Sequence, residues 1–106
     1  MDYRNELKKM KKHRRRYRPA VEALMRMYHS FPAGGEPIDL NGREDLTVML
    51  ELIDIGYLDP DAFNITTRFG DIASVRYNGR YPLTPSGEAQ YPRGVLGRIF
   101  NALGGR

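Results

Sequence analysis

Two short segments, residues 50–58 and residues 80–88, constrain the fold of this chain more than any other part of its sequence. The first, LELIDIGYL, has helical apolar spacing up to Gly56, a typical helix stop, and then becomes strand-like. The second, RYPLTPSGE, is strand-like up to Thr84, a preferred N-cap residue that proline follows, so a helix begins there. The stretch between them is long enough for a two-stranded hairpin. We therefore expect a helix, a glycine stop, a hairpin and a second helix in this order.

This order of elements resembles the second half of a winged helix-turn-helix domain, as in small regulators of the bacterial and phage type. The residues that carry the resemblance stand at the helix exit and at the hairpin exit, and they are Leu52, Ile55, Gly56, Tyr57, Leu58, Leu83, Thr84 and Gly87. With a helix over residues 19–30 and a short strand over 37–40, the resemblance covers residues 19–91. It implies an α+β winged helix-turn-helix fold. Outside it, the basic residues of 1–18 indicate an N-terminal arm or helix, and the apolar spacing of 92–106 predicts an additional amphipathic C-terminal helix and tail. Most domains of this superfamily bind nucleic acid.

The first part of the chain predicts two helices. Apolar and aromatic residues recur at nearly heptad spacing from Tyr3 to Tyr28, which favours helix. Pro19 interrupts this stripe, because proline lacks an amide hydrogen and clashes with the preceding turn. We therefore expect a first helix over residues 3–16 and a second over 19–30.

The helix that stops at Gly56 is expected to begin after Asn41, or else after a brief turn over residues 43–47. Asparagine is a preferred N-cap residue, and Glu44, three residues later, supplies the acidic partner of a capping box. Acidic residues in a first turn also suit the positive end of the helix dipole.

Two positions are open for the hairpin turn. Gly70-Asp71 lies between two strand-like stretches, and Asn78-Gly79 lies between the second of these and a third over residues 80–83. We favour Asn78-Gly79, because Asn-Gly is the stronger hairpin dipeptide. This choice places Arg76 and Arg80 on the two sides of the hairpin tip.

Charge is segregated along the chain, although the net charge over 106 residues is only +4. Residues 1–18 carry nine basic groups against two acidic ones, a net charge of +7. Residues 36–61 carry eight acidic groups against Arg43, a net charge of −7, and residues 62–106 carry six arginines against two acids, a net charge of +4. Any function must account for a basic start, an acidic middle and a mildly basic end.

The basic start is the strongest candidate for a binding site. Flexible basic segments wrap nucleic acids, so we expect phosphate contacts to duplex DNA from Lys8, Lys9, Lys11, Lys12, Arg14, Arg15, Arg16 and Arg18. The resemblance extends this set to the hairpin, because a wing commonly touches the DNA backbone or minor groove, and the hairpin cations are Arg68, Arg76 and Arg80. The opposing interpretations are a solubilising tail, which covers its own acidic helix, and hairpin arginines that only keep a sheet edge soluble.

The acidic middle opens an alternative function. The helix that corresponds to the recognition helix carries Glu44, Asp45, Glu51 and Asp54. DNA affinity depends on cations that neutralise phosphates, so we expect DNA contact from the basic start and the hairpin rather than from this helix. The alternative is a protein-interaction module whose acidic face, residues 36–61, docks a basic partner without specific DNA readout. A third hypothesis is a peripheral membrane adaptor using residues 1–18 and 93–103.

The sequence predicts neither catalysis nor a cofactor. There is no cysteine, and His13 and His29 do not stand at metal-ligand spacing, so we expect no metal site. No apolar run has the length of a membrane span, and none follows the N-terminal charges as in a signal peptide. We expect a cytoplasmic, non-enzymatic DNA-binding protein, a transcriptional regulator or accessory factor, that forms a homodimer.

Overall fold

The structure, a computed structural model, describes the backbone of residues 3–91 and the side chains of residues 15–91. Within these residues the fold is α+β, with three α-helices and one three-stranded antiparallel sheet. The elements in chain order are α1 (Tyr3–Ser30), β1 (Ile38–Asp39), α2 (Leu46–Asp54), a 3-10 turn (Pro60–Ala62), β2 (Phe63–Arg68), β3 (Asp71–Tyr77) and α3 (Pro85–Gln90). The helix expected over residues 92–106 lies outside the described residues.

Helix α1 is continuous over 28 residues with Pro19 in its interior, so the predicted break at this proline is wrong. Proline removes the bond from its amide position to the Arg15 carbonyl and costs about 3 kcal/mol in a helix interior. Pro19 is exposed, so water can reach the freed carbonyl, as on the solvent side of many bent helices. The next residues, Ala20 and Val21, are almost completely buried, and their burial offsets the cost of the proline.

Strand β3 is the centre of the sheet, whose order is β1-β3-β2. The short strand expected over residues 37–40 is confirmed as β1, which pairs with the end of β3. Strand β2 pairs with β3 along its whole length, and the register shifts between Thr66 and Thr67. The shift leaves Ala73 of β3 without an opposite residue, which is a β-bulge and increases the local twist.

The hairpin turn lies at Phe69 and Gly70, so the preferred position at Asn78-Gly79 is wrong. The alternative position, Gly70-Asp71, is one residue from the observed turn, since the chain turns between the first two strand-like stretches. Phe69 and Gly70 have φ angles of 53° and 84°, as a two-residue type I′ turn requires at both central positions. Sequence rules favour asparagine or glycine at both positions, and of these two residues only Gly70 follows them.

The Asn78-Gly79 dipeptide instead leads the chain away from the sheet. The Asn78 side chain donates to the Asp61 carbonyl at 2.8 Å and to Asn64 Oδ1 at 3.0 Å. Residues 80–83 form no returning strand, and this stretch joins the fold through an isolated bridge between Leu58 and Leu83. The predicted hairpin tip with Arg76 and Arg80 on its two sides is therefore not formed.

Helix α2 begins at Leu46, so the predicted start directly after Asn41 is wrong and the alternative, a turn before the main helix, is nearer to the structure. The Asn41 side chain accepts a hydrogen bond from the Val75 amide at 3.0 Å and donates to the Ala73 carbonyl at 3.3 Å. It therefore extends the β1 side of the sheet instead of capping a helix, and residues 41–45 form turns. The predicted end of α2 is confirmed, since Gly56 follows the helix with a φ of 87°.

The core lies between α1, α2 and the sheet. It also includes the segment that follows α2, at Leu58, and the segment that precedes α3, at Leu83. Tyr77 is its largest fully buried side chain, and its hydroxyl donates to the Arg80 carbonyl at 2.5 Å. Burial raises the pKa of this phenol well above its usual range, and nearby Tyr28 adds to the effect. The other core residues include Val21, Leu24, Leu40, Met49, Leu52, Leu58, Phe63, Val75 and Leu83.

Candidate nucleic-acid interface

The basic start of the chain is helical from Tyr3 and continues into the part of α1 that packs in the core. The described part of the segment is therefore helical and not extended, with a rise of about 1.5 Å per residue. Arg15 is exposed and has no acidic partner among the described side chains. The side chains of Lys8, Lys9, Lys11, Lys12 and Arg14 lie outside the described part of the chain.

Arg16 is bound to the acidic helix. Its Nη2 atom lies 2.5 Å from Glu51 Oε1, its Nε donates to Oε2 at 3.1 Å, and the Tyr17 hydroxyl donates to the same Oε2 at 3.1 Å. The hydrogen bond from Arg16, and then that from Tyr17, lower the pKa of Glu51, and the hydrogen bond to Glu51 raises the pKa of Arg16. The side chains of Arg16 and Glu51 remain 53% and 36% exposed, respectively. This two-pronged contact therefore links α1 to α2 at the surface.

Arg18 also has an acidic partner. Its Nε donates to Oε1 of Glu22, one helical turn further along α1, at 2.9 Å. Of the three described cations that were expected to contact DNA from this segment, Arg16 and Arg18 are paired and Arg15 is not. An exposed pair of this kind contributes little to stability and separates readily when a competing anion approaches.

The solvent side of α2 has no cation. Its sequence, LTVMLELID, contains neither lysine nor arginine, and Thr47 and Asp54 are exposed. The nearest arginine in sequence, Arg43, pairs with Asp45 at 2.8 Å. A helix with this charge repels phosphates.

The three hairpin-region arginines are exposed but do not converge. Arg68 is at the end of β2, with its guanidinium carbon 5.9 Å from the centre of the Phe69 ring. Arg76 is on the central strand, opposite Asn64 on one side and Asp39 on the other. Arg80 borders an open depression that His29 also lines.

Phe69 is the residue that sequence reasoning missed. It is 95% exposed at the hairpin tip and adopts a left-handed backbone conformation. Ile65 and Ile72 lie on the hairpin face that continues from the core and are 38% and 51% exposed. The sequence did contain a signal for this exposed tip. A strand-like stretch has no charge before Arg68, and Phe69 and Gly70 follow it directly.

Searches for similar proteins found no family model, no curated protein and no solved structure that matches the chain. Among the described residues, no group of His, Asp and Glu side chains is arranged to hold a metal ion. Within residues 3–91, no helix is both long enough and apolar enough to cross a membrane. The interpretation of this surface therefore depends on its own geometry and charge.

Proposed function

We propose that this chain is a winged-helix domain that binds duplex DNA, as a small non-enzymatic regulator or accessory factor. Support for the fold assignment is the order of elements, helix, strand, helix, hairpin and helix, which is the order that the resemblance implies. The first strand also pairs with the second strand of the hairpin. Between β1 and β2, a winged helix usually has two helices, and here the turns of residues 41–45 stand in place of the first.

The continuity of α1 is the observation that carries the DNA-binding proposal. All nine basic residues of the segment 1–18 belong to the same helix that is buried at Ala20 and Val21. Its cations are therefore carried by a helix anchored in the core, and Arg16 also contacts Glu51 of α2 at the surface. A preordered cationic helix loses less conformational entropy on binding than a flexible arm does, and its charges displace the counterions of the phosphates.

The hairpin supplies a second, weaker contact in this proposal. Arg76 and Arg80 are exposed, and no described acidic side chain pairs with either guanidinium. Because they do not share a turn, each would contact the phosphate backbone separately instead of entering one groove together. Such contacts position a protein on DNA without reading its sequence.

The protein-interaction alternative has weaker support. Several of the acids in residues 36–61 have partners within the fold: Glu51 binds Arg16, Asp45 binds Arg43, and Asp39 and Asp59 accept from the backbone amides two residues later. The remaining acids lie on different elements and are Glu36, Glu44, Asp54 and Asp61. Part of the acidic middle is therefore engaged in contacts within the fold, which favours the DNA-binding proposal.

Fluorescence anisotropy with a labelled duplex of random sequence tests the proposal. The fourfold variant Lys8→Gln, Lys9→Gln, Lys11→Gln, Lys12→Gln should bind the duplex at least about tenfold more weakly than the unmodified chain. The control is Arg26→Gln, which removes an exposed cation of α1 outside the basic segment and should leave binding nearly unchanged. Equal affinity of the fourfold variant and the unmodified chain, or no binding by either, overturns the proposal.

A further inference from the structure

Strand β2 is an outer strand of the sheet, and its free side is defined by the hydrogen-bond pattern. Val75 directs both its amide and its carbonyl to the β1 side, to Asn41 Oδ1 and to the Leu40 amide. Its opposite residue on β2 is Ile65. In an antiparallel pair, both residues of a non-bonded pair point their backbone groups away from each other. The amide and carbonyl of Ile65 therefore face the open edge of β2.

This edge lacks the features that usually prevent strand pairing between molecules. Strand β2, FNITTR, contains no proline or lysine, and the bulge residue is on β3 instead. Apart from Arg68 at its end, the strand is uncharged, and Ile65 is partly exposed beside it together with Ile72. Soluble proteins normally protect such an edge with charges, prolines or bulges.

We propose that the β2 edge is a self-pairing surface, on which β2 of a second copy of this chain adds antiparallel to form a six-stranded sheet. The distribution of charge selects this partner and this direction. Asp61 stands just before β2 and Arg68 at its end, both are exposed, and no described side chain forms an ion pair with either. Antiparallel pairing about Ile65 brings Arg68 of each copy beside Asp61 of the other, whereas parallel pairing brings like charges together.

The pairing also covers apolar surface. Ile65 of one copy would meet Ile65 of the second copy on the face that continues from the core, where Ile72 is also exposed. The same contact occurs twice, as the twofold symmetry of an isologous dimer requires. The sheet edge is separate from α1, so this inference does not depend on DNA binding and its test does not use DNA.

Sedimentation velocity with two charge-reversal variants tests the inference. The unmodified chain should sediment as a dimer, and Arg68→Glu alone and Asp61→Arg alone should each dimerise at least about tenfold more weakly, because each places like charges together twice. An equimolar mixture of the two variants should regain the dimer, because every altered charge then faces its opposite. Circular dichroism of each variant confirms that the monomer is folded.

The matched control is Arg76→Glu, which makes the same charge change on the central strand and should leave the dimer intact. A monomeric unmodified chain, a dimer that Arg68→Glu does not weaken, or a mixture that stays monomeric would each overturn the inference. Equal loss of the dimer in Arg76→Glu would also overturn it, because the effect would then reflect net charge and not the β2 edge.

Discussion

The hydroxyl of Thr84 donates a hydrogen bond to the carbonyl oxygen of Gly56 at 2.5 Å and accepts one from the amide of Gly87 at 3.0 Å. The Thr84 amide also donates to the Tyr57 carbonyl at 3.1 Å. The exit of α2 and the entry of α3 are therefore two sides of one junction. The two sequence segments that constrain the fold most are in direct contact.

Gly87→Ala should destabilise the protein. A Cβ atom at this buried position would overlap the Tyr57 carbonyl oxygen, so the backbone must move apart at the junction. We expect a loss of about 1–3 kcal/mol in the free energy of unfolding, measured by urea denaturation. Ser86→Ala, at the exposed neighbouring position, should change it by less than about 0.5 kcal/mol. Equal stability of Gly87→Ala and the unmodified chain would contradict the close packing of this junction.

Phe69→Asn should stabilise the protein by about 1 kcal/mol. A non-glycine residue with a φ of 53° is in a costly conformation, which asparagine tolerates better than phenylalanine. The ring is 95% exposed, so its removal sacrifices almost no burial. Phe69→Val should act in the opposite direction, because a β-branched residue fits positive φ poorly. Thermal unfolding measures both, and a destabilised Phe69→Asn would show that the ring makes a contact that the fold requires.

The stability that Glu51 contributes should depend on pH. Arg16 lowers the pKa of Glu51 in the folded protein, so this contribution is fully present above the unfolded-state pKa of about 4.3 and is lost as the pH falls through the folded-state value. At neutral pH the unmodified chain should be more stable than Glu51→Gln, and the difference should close in acid. Urea titrations across pH 3–7 measure it, with the exposed Asp54→Asn as control. A difference that is constant with pH would contradict the role of this charge.

Glu51→Gln should also raise the affinity for random duplex DNA. The substitution removes a negative charge and releases Arg16, which gains the freedom to contact a phosphate. Asp54→Asn removes a charge from the same helix without releasing an arginine, so its gain should be smaller. Equal gains would assign the effect to repulsion alone. A sequence-selective loss of affinity in Glu51→Gln would mean that α2 reads bases.

Much of the fold was predictable because local chemistry decides it. The stop at Gly56 and the α3 start, where Thr84 caps the helix and Pro85 is its first residue, follow from local backbone preferences. Pro19 and Asn41 were misjudged because tertiary contacts override local preference there. Burial after the proline keeps α1 continuous, and the sheet uses the asparagine side chain that would otherwise cap α2.

From the sequence, only the location of the basic residues in the candidate interface could be predicted, and not their contacts. The sequence locates the basic start, but the pairing of Arg16 with Glu51, 35 residues away, depends on how α1 packs on α2. The tip residue, Phe69, was missed for a related reason. The turn position follows from the pairing of β2 with β3, and the local dipeptide preference favoured Asn78-Gly79.

The salt dependence of DNA binding tests the central claim, contact through the basic half of α1, most directly. A plot of log affinity against log salt should have a slope of about −0.9 for each phosphate that the chain neutralises. We predict a steep negative slope for the unmodified chain and a slope shallower by about 0.9 for each lost contact in the fourfold lysine-to-glutamine variant. Identical slopes for the two proteins, or a slope near zero for the unmodified chain, would contradict the account.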